Sequence, residues 1–148
     1  MTGSALTAAE VLNAFYRAER SYMAAGGAAA GASFDEMGAT LDPDVALHQS
    51  PDLPWGGEWT GYQVFKDWSI EMSRHWDALE VKEPVFFERG DQVIVLCRLV
   101  TRSRLTGEIL DYPMTQVVTV RNGRITEFQP FYWNVPHYRQ ACSADAMS

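Results

Sequence analysis

With 148 residues, 47% of them hydrophobic and 12% aromatic, the chain is long enough to bury one core without disulfide or metal staples. A net charge of −7 excludes a function built on nucleic-acid phosphates or anionic membrane, since both need clustered Lys and Arg. Cys97 sits in an apolar run and Cys142 near the end, which predicts two free thiols and a cytoplasmic setting. The N-terminus has neither the basic start nor the apolar core of a secretory signal, and no apolar run reaches the length of a membrane span.

In chain order, Thr7 with Glu10 three residues on forms a capping box that opens a helix from about Ala8 to Ala25. Leu12, Phe15, Tyr16, Tyr22 and Met23 share one face of it, with Glu19 in their midst. An ionised carboxylate is costly to bury, so Glu19 either faces a cavity as a protonated or hydrogen-bonded group or is rotated out to pair with an Arg. Gly26 to Gly31 stops the helix. Ser33 with Glu36 predicts a second, short helix, ended by Asp42-Pro43-Asp44. Val45 to Gln49 reads as a strand, followed by a loop holding Pro51, Pro54, Trp55 and Trp59. These tryptophans either close over a pocket mouth or plug the open end of a sheet.

Thr60 with Gln63 opens a third helix, whose Phe65, Trp68, Met72, Trp76 and Leu79 repeat at steps of three and four. His75 is one turn from Glu71 and pairs with it at the surface. The remainder is an antiparallel meander: Glu80 to Arg89, Asp91 to Arg104, and a hairpin from Glu108 to Asn134 that turns at Asn122-Gly123. Pro84 and Pro113 belong at edges or bulges because neither can donate to a ladder. Arg98, Arg102 and Arg104 alternate on one strand and read as a solvated face or an ion-pair ladder rather than an anion site. Polar residues among the hairpin's apolar ones fit either a wet concave face or ordinary alternation. The tail after Val135 carries little pattern and is expected to be mobile beyond Tyr138.

Leu41-Asp42-Pro43-Asp44-Val45, Pro54-Trp55-Gly56-Gly57 with Thr60-Gly61, and Asn122-Gly123-Arg124-Ile125-Thr126-Glu127 running to Pro130-Phe131-Tyr132-Trp133-Asn134 together resemble the NTF2-like superfamily, most closely its SnoaL-like branch of polyketide cyclases and, more distantly, ketosteroid isomerase. The resemblance spans about residues 8 to 134 of what is expected to be one domain, residues 1–148. It implies an α+β fold: a cone-shaped barrel of three helices on a curved, mostly antiparallel sheet, with a deep apolar pocket and dimerisation through the sheet's outer face. In ketosteroid isomerases a general base falls at Gln49 or His48 of this chain, a tyrosine near Glu19 and an acid near Thr115; the cyclases' final-strand aspartate falls near Pro130. None matches in kind, so this chain carries its own polar set.

Glu19 and His48 are the candidate proton-handling pair, one acid and one base. For His48 the competing reading is a core histidine satisfied by a backbone carbonyl. Gln49, Asp111, Thr115, Gln129 and Asn134 are candidates for orienting a substrate carbonyl or hydroxyl. Tyr16, Trp55, Trp59, Trp68, Met114, Phe131 and Tyr132 are candidates for the apolar enclosure. No phosphate-binding loop, nucleophile elbow or cluster with metal spacing is visible, so neither cofactor nor metal is expected. The expected activity is a cofactor-independent cyclisation or isomerisation of an apolar, polyketide-like intermediate by a homodimer. The alternatives are a non-catalytic hydrophobic carrier and an epoxide hydrolase using Asp111, Asn134 and Arg98.

Overall fold

The computed structural model describes residues 6–143. Helix α1 (Ala8–Ala24) begins with the expected capping box: the Thr7 backbone N–H donates to Glu10 (2.9 Å) and the Glu10 N–H to the Thr7 hydroxyl (3.1 Å). It buries Leu12, Phe15, Tyr16, Glu19, Tyr22 and Met23 along one stripe. The chain then reverses through Gly27, at φ 66°, where an added Cβ would fall 2.3 Å from that of Ser73. Only glycine lets the two segments approach so closely.

The second helix, α2 (Asp35–Gly38), is a single turn and starts later than the Ser33 capping box predicts; the Ser33 hydroxyl instead accepts from the Asp35 N–H at 3.1 Å. Strand β1 (Leu41–Gln49) begins four residues before the expected Val45, because Leu41 pairs with Ile125. Pro43 falls in the irregular stretch between Leu41 and Ala46, where no ladder bond is asked of it. The Pro/Trp loop yields a further short strand, β2 (Gly57–Thr60). Thr60 therefore does not cap helix α3 (Tyr62–His75); Gly61, at φ 98°, takes the cap position without a side-chain bond. Trp76, expected on the inner face of that helix, is the first residue of β3 (Trp76–Arg89).

Strands β4 (Gln92–Ser103), β5 (Ile109–Arg121) and β6 (Arg124–Tyr132) complete one sheet in the order β2-β1-β6-β5-β4-β3. All pairs are antiparallel except β1 with β6. Asn122 (φ 53°) and Gly123 (φ 75°) form the expected tight turn between β5 and β6. Pro84 sits at a bulge on edge strand β3, next to Glu83 at φ 55°. Pro113 lies one residue past the end of the β5–β6 pairing.

The tail departs most from expectation. Residues Val135–Ala141 form a fourth helix, α4, with Asn134 as its cap, and Tyr138 is only 1% exposed. The Ser103 hydroxyl donates to the Ala141 carbonyl at 2.9 Å, tying α4 to the end of β4. The periodicity of seven residues is too short to announce a helix, and what holds it is the aromatic pocket it plugs. There the Trp55 ring lies 5.8 Å from Trp76, 5.9 Å from Tyr132 and 6.3 Å from Tyr138. Trp55 Nε1 donates to the Tyr132 hydroxyl (3.2 Å) and Trp59 Nε1 to the Trp55 carbonyl (3.1 Å). The tryptophan loop is thus a plug closing one end of the sheet. Helices α1 and α3 cover the inner face of the sheet, and the outer face is left bare.

Candidate functional site

Between the helices and the sheet lies a cavity. Phe15 and Glu19 of α1, and Phe65, Trp68 and Met72 of α3, form its roof. Leu47 and Gln49 of β1, Met114 and Gln116 of β5, and Phe128, Pro130 and Tyr132 of β6 form its floor, with Leu79, Val81 and Leu99 at the side. The free space among them, mouth included, is ≈ 360 Å³, but the centre of a water-sized sphere can visit only ≈ 20 Å³ of it. The hollow expected under the long helix exists and is narrow: it holds a water or two as it stands, and a larger guest must displace side chains. Met72 and Met114 are the flexible parts of its wall.

Three polar groups in this apolar space lack partners. Glu19 is 5% exposed and accepts no hydrogen bond from any described residue. Burial alone pushes its pKa up to about 8, so at neutral pH it is mainly a carboxylic acid. Gln49 Oε1 and Trp68 Nε1 are buried and unpaired as well. Orphaned groups of this kind are uncommon in protein interiors, where each one costs stability. Two further polar groups at or behind the cavity wall are engaged. The Tyr16 hydroxyl donates to Gln116 Oε1 (2.5 Å), and the Tyr132 hydroxyl accepts from Trp55. Burial raises the pKa of both tyrosines well above the usual phenol value, assisted for Tyr16 by the charges of Cys97 and Glu19.

Glu19, Gln49, Trp68, Met114 and Tyr132 stand on the cavity wall, and Tyr16 stands behind it, touching it through Gln116. The other candidates lie elsewhere. His48 follows Leu47 and precedes Gln49, both inward, so alternation turns it to the outer face. There its Nδ1 pairs with Glu58 and its Nε2 with Glu127 at 2.8 Å. Partial burial opposes its protonation, but the hydrogen bonds and charges of Glu127 and Glu58 win and raise its pKa. It is neither a cavity base nor a core histidine bonded to a carbonyl, and Glu19 and His48 do not form a pair.

Gln129 and Phe131 share an outer cleft with His48 and Glu58, and Thr115 lies beside Phe131 on the same face. Asp111 is exposed and holds Arg98 at 2.8 Å, while Asn134 caps α4 and donates to the Tyr112 hydroxyl at 3.1 Å. The Asp111, Asn134 and Arg98 set needed for epoxide hydrolysis is therefore not assembled around a cavity. Trp55 and Trp59 serve the plug. Two expectations for the outer surface hold: Arg98 and Arg102 form ion pairs with Asp111 and Asp77, and His75 pairs with Glu71 at 3.1 Å. Arg104 instead donates to the carbonyls of Ser73 and Trp76, where α3 ends.

The residue most clearly missed is Gln116. Its signal was present in the sequence, since it has the same parity as Met114, Val118 and Val120 on one strand. Gln129 and Phe131 are misplaced for a different reason. Strict alternation from the buried Ile125 carries both inward, but β6 bulges at Thr126, and Phe128, Pro130 and Tyr132 point in instead.

The family model of the SnoaL-like domain matches residues 20–128. The chain belongs to the SnoaL-like family. Its fold is that of an NTF2-like protein of unknown function from Burkholderia pseudomallei, with a TM-score of 0.74 at 18% identity over 92% of this chain and 97% of that one. A candidate polyketide cyclase from Pseudomonas putida is similar as well, with a TM-score of 0.73 at 16% identity over 93% and 99%. So is TerC, crystallised with polyporic acid, with a TM-score of 0.73 at 19% identity over 91% and 98%. None of the curated proteins matches the chain in sequence. Gln49, Gln116 and Pro130 line the cavity, whereas Thr115 does not. Among the described residues no helix is long and apolar enough to cross a membrane, and no group of His, Cys, Asp and Glu is placed to hold a metal ion.

Proposed function

We propose that the protein is a cofactor-independent cyclase or isomerase of the cytoplasm, acting on a compact, apolar, polyketide-like intermediate held between α3 and the sheet. The observation that carries this reading is the unpartnered, uncharged carboxyl of Glu19 in an apolar cavity, flanked by the unpaired Gln49 Oε1 and Trp68 Nε1. A neutral acid in such a place can hand a proton to a carbonyl or enol oxygen as charge develops there. Gln49, Gln116 and Tyr132 would hold the substrate's oxygens, and the aromatic walls would fold it. The P. putida candidate cyclase and the polyporic acid complex of TerC, although remote in sequence, support a small-molecule site on this scaffold.

The test is turnover of polyketide-like enones by the wild type and Glu19→Gln. The variant is expected to lose ~100-fold or more in kcat with KM little changed, the usual weight of a general acid. Wild-type kcat/KM should fall as pH passes about 8, where the acid form disappears. Full turnover by Glu19→Gln overturns the reading.

A carrier function is the second reading, favoured by the lack of any second group on the cavity wall that titrates near neutrality. A carrier returns every ligand unchanged in mass spectrometry. We further propose that the active form is a homodimer. Two cross-strand rows on the bare outer face, Phe87-Ile94-Val117-Gln129 and Val85-Leu96-Thr115-Phe131, offer a second copy an exposed, largely apolar surface. Sedimentation equilibrium should show dimers that Phe87→Asp with Phe131→Asp dissociates.

A further inference from the structure

Glu19 is more than an acid in an apolar place, because the walls around it select the charge of its guest. No Arg, Lys or His lines the cavity, so an anionic guest would meet a buried carboxyl and no counter-charge. What the cavity does present are the rings of Phe15, Phe65, Trp68, Phe128 and Tyr132, whose faces attract cations. A carboxyl group among aromatic rings, with no protein donor of its own, has the composition of a cage for an ammonium group. We propose that this cavity binds a molecule carrying a basic nitrogen, protonated or quaternary, which pairs with Glu19 among the aromatic rings. The inference rests on the cavity being the site proposed above and takes the carrier reading of it, since a Glu19 that gives up its proton to let a cation in has none left to donate to a substrate oxygen.

Binding is then coupled to a proton. The empty site holds Glu19 as the acid at neutral pH; entry of a cation expels that proton to solvent and leaves carboxylate against ammonium. The other titratable groups near Glu19 stay neutral over the same range. Tyr16 on its own helix, Tyr132 from β6 and Cys97 from β4 are all raised by burial, Cys97 to about 12. The cavity residues of α3, β1, β3 and β5 do not titrate at all. Glu19 alone therefore sets the pH dependence of a permanent cation.

The experiment uses benzyltrimethylammonium, its uncharged carbon isostere neopentylbenzene, and benzoate, with intrinsic tryptophan fluorescence and calorimetry as readouts. The cation is expected to bind the wild type at least ~10-fold more tightly than the isostere at pH 9. Its affinity should rise roughly tenfold per pH unit below about 8 and level off above, with close to one proton released per cation bound at pH 7. Glu19→Gln, isosteric and relieved of a buried acid, should keep the fold and the binding of neopentylbenzene while losing both the cation preference and the pH slope. Benzoate should not bind. Equal or tighter binding of neopentylbenzene at pH 9, a cation affinity that does not change with pH, no binding of the cation, or an unaltered preference in Glu19→Gln each overturns the inference. If the isostere wins while Glu19→Gln still abolishes turnover of a neutral enone, the enzymatic reading stands and this one alone falls.

Discussion

The two faces of the sheet treat ionisable side chains in opposite ways. On the inner face Glu19 is raised by burial with nothing to receive it; on the outer face His48 is raised by two carboxylates that hold both its ring nitrogens. The first is an unsatisfied group kept where a core would gain from leucine, and the second is a satisfied group where water would have served. Sites that give up stability in this manner are where function is to be sought, whereas outer ion pairs such as Arg98–Asp111 need no such explanation.

The contrast can be broken by measurement, most forcefully at Glu19. Its native pKa of about 8 lies above the ordinary 4.5, so the folded protein keeps a proton that the unfolded chain releases between those values. Stability should therefore fall as pH rises from about 4.5 to about 8, by on the order of 5 kcal/mol, and then level off. Urea unfolding of Glu19→Gln across that window should lack this loss; a wild-type curve as flat as the variant's would place a partner on Glu19 and end the comparison. Next in size is Tyr16→Phe, which strips Gln116 Oε1 of its donor in a buried site and is expected to cost ~1–3 kcal/mol in the same assay.

On the outer face the effects should shrink. The His48 contribution is fully present below the ordinary histidine value of 6.5 and is lost as pH rises through the raised native one, the reverse of a carboxylate held ionised by its partners. Because Glu58 and Glu127 are largely exposed, Glu127→Gln should cost less than ~1 kcal/mol at pH 6 and progressively less as pH rises through the raised His48 pKa. Smallest of all, Asp111→Asn should change stability by no more than ~0.5 kcal/mol and leave turnover intact. A large loss of turnover there would return Asp111 to the site.

Much of this fold is legible in the residues. The Thr7/Glu10 capping box, the stripe around Glu19, the Asn122-Gly123 turn and the bulge at Pro84 are local signals, each set by a few neighbours, and the structure shows all four. Strand β2 and helix α4 are not local in that sense. Four residues beside two prolines and seven in a tail acquire regular structure from what they pack against, β1 in one case and the Trp55, Trp76 and Tyr132 rings in the other. The site divides along the same line. Glu19 and Trp68 lie on helices whose stripes are visible in sequence, and both reach the cavity; Thr115, Gln129, Phe131 and His48 lie on strands, where one residue of register decides the face.

By itself the sequence determined most of the helices and strands, though not β2 or α4, the family to which the chain belongs, and that a carboxyl sits in the apolar stripe of α1. Only the tertiary structure decided that this carboxyl is left without a partner, that His48 turns away from it, and that Gln116 stands where Thr115 was expected. The reason is geometric. A strand alternates with a period of two, and the extra residue in β6 at Thr126 reverses every assignment beyond it, so the lining of a cavity between sheet and helices is settled by cross-strand pairing that no single segment encodes.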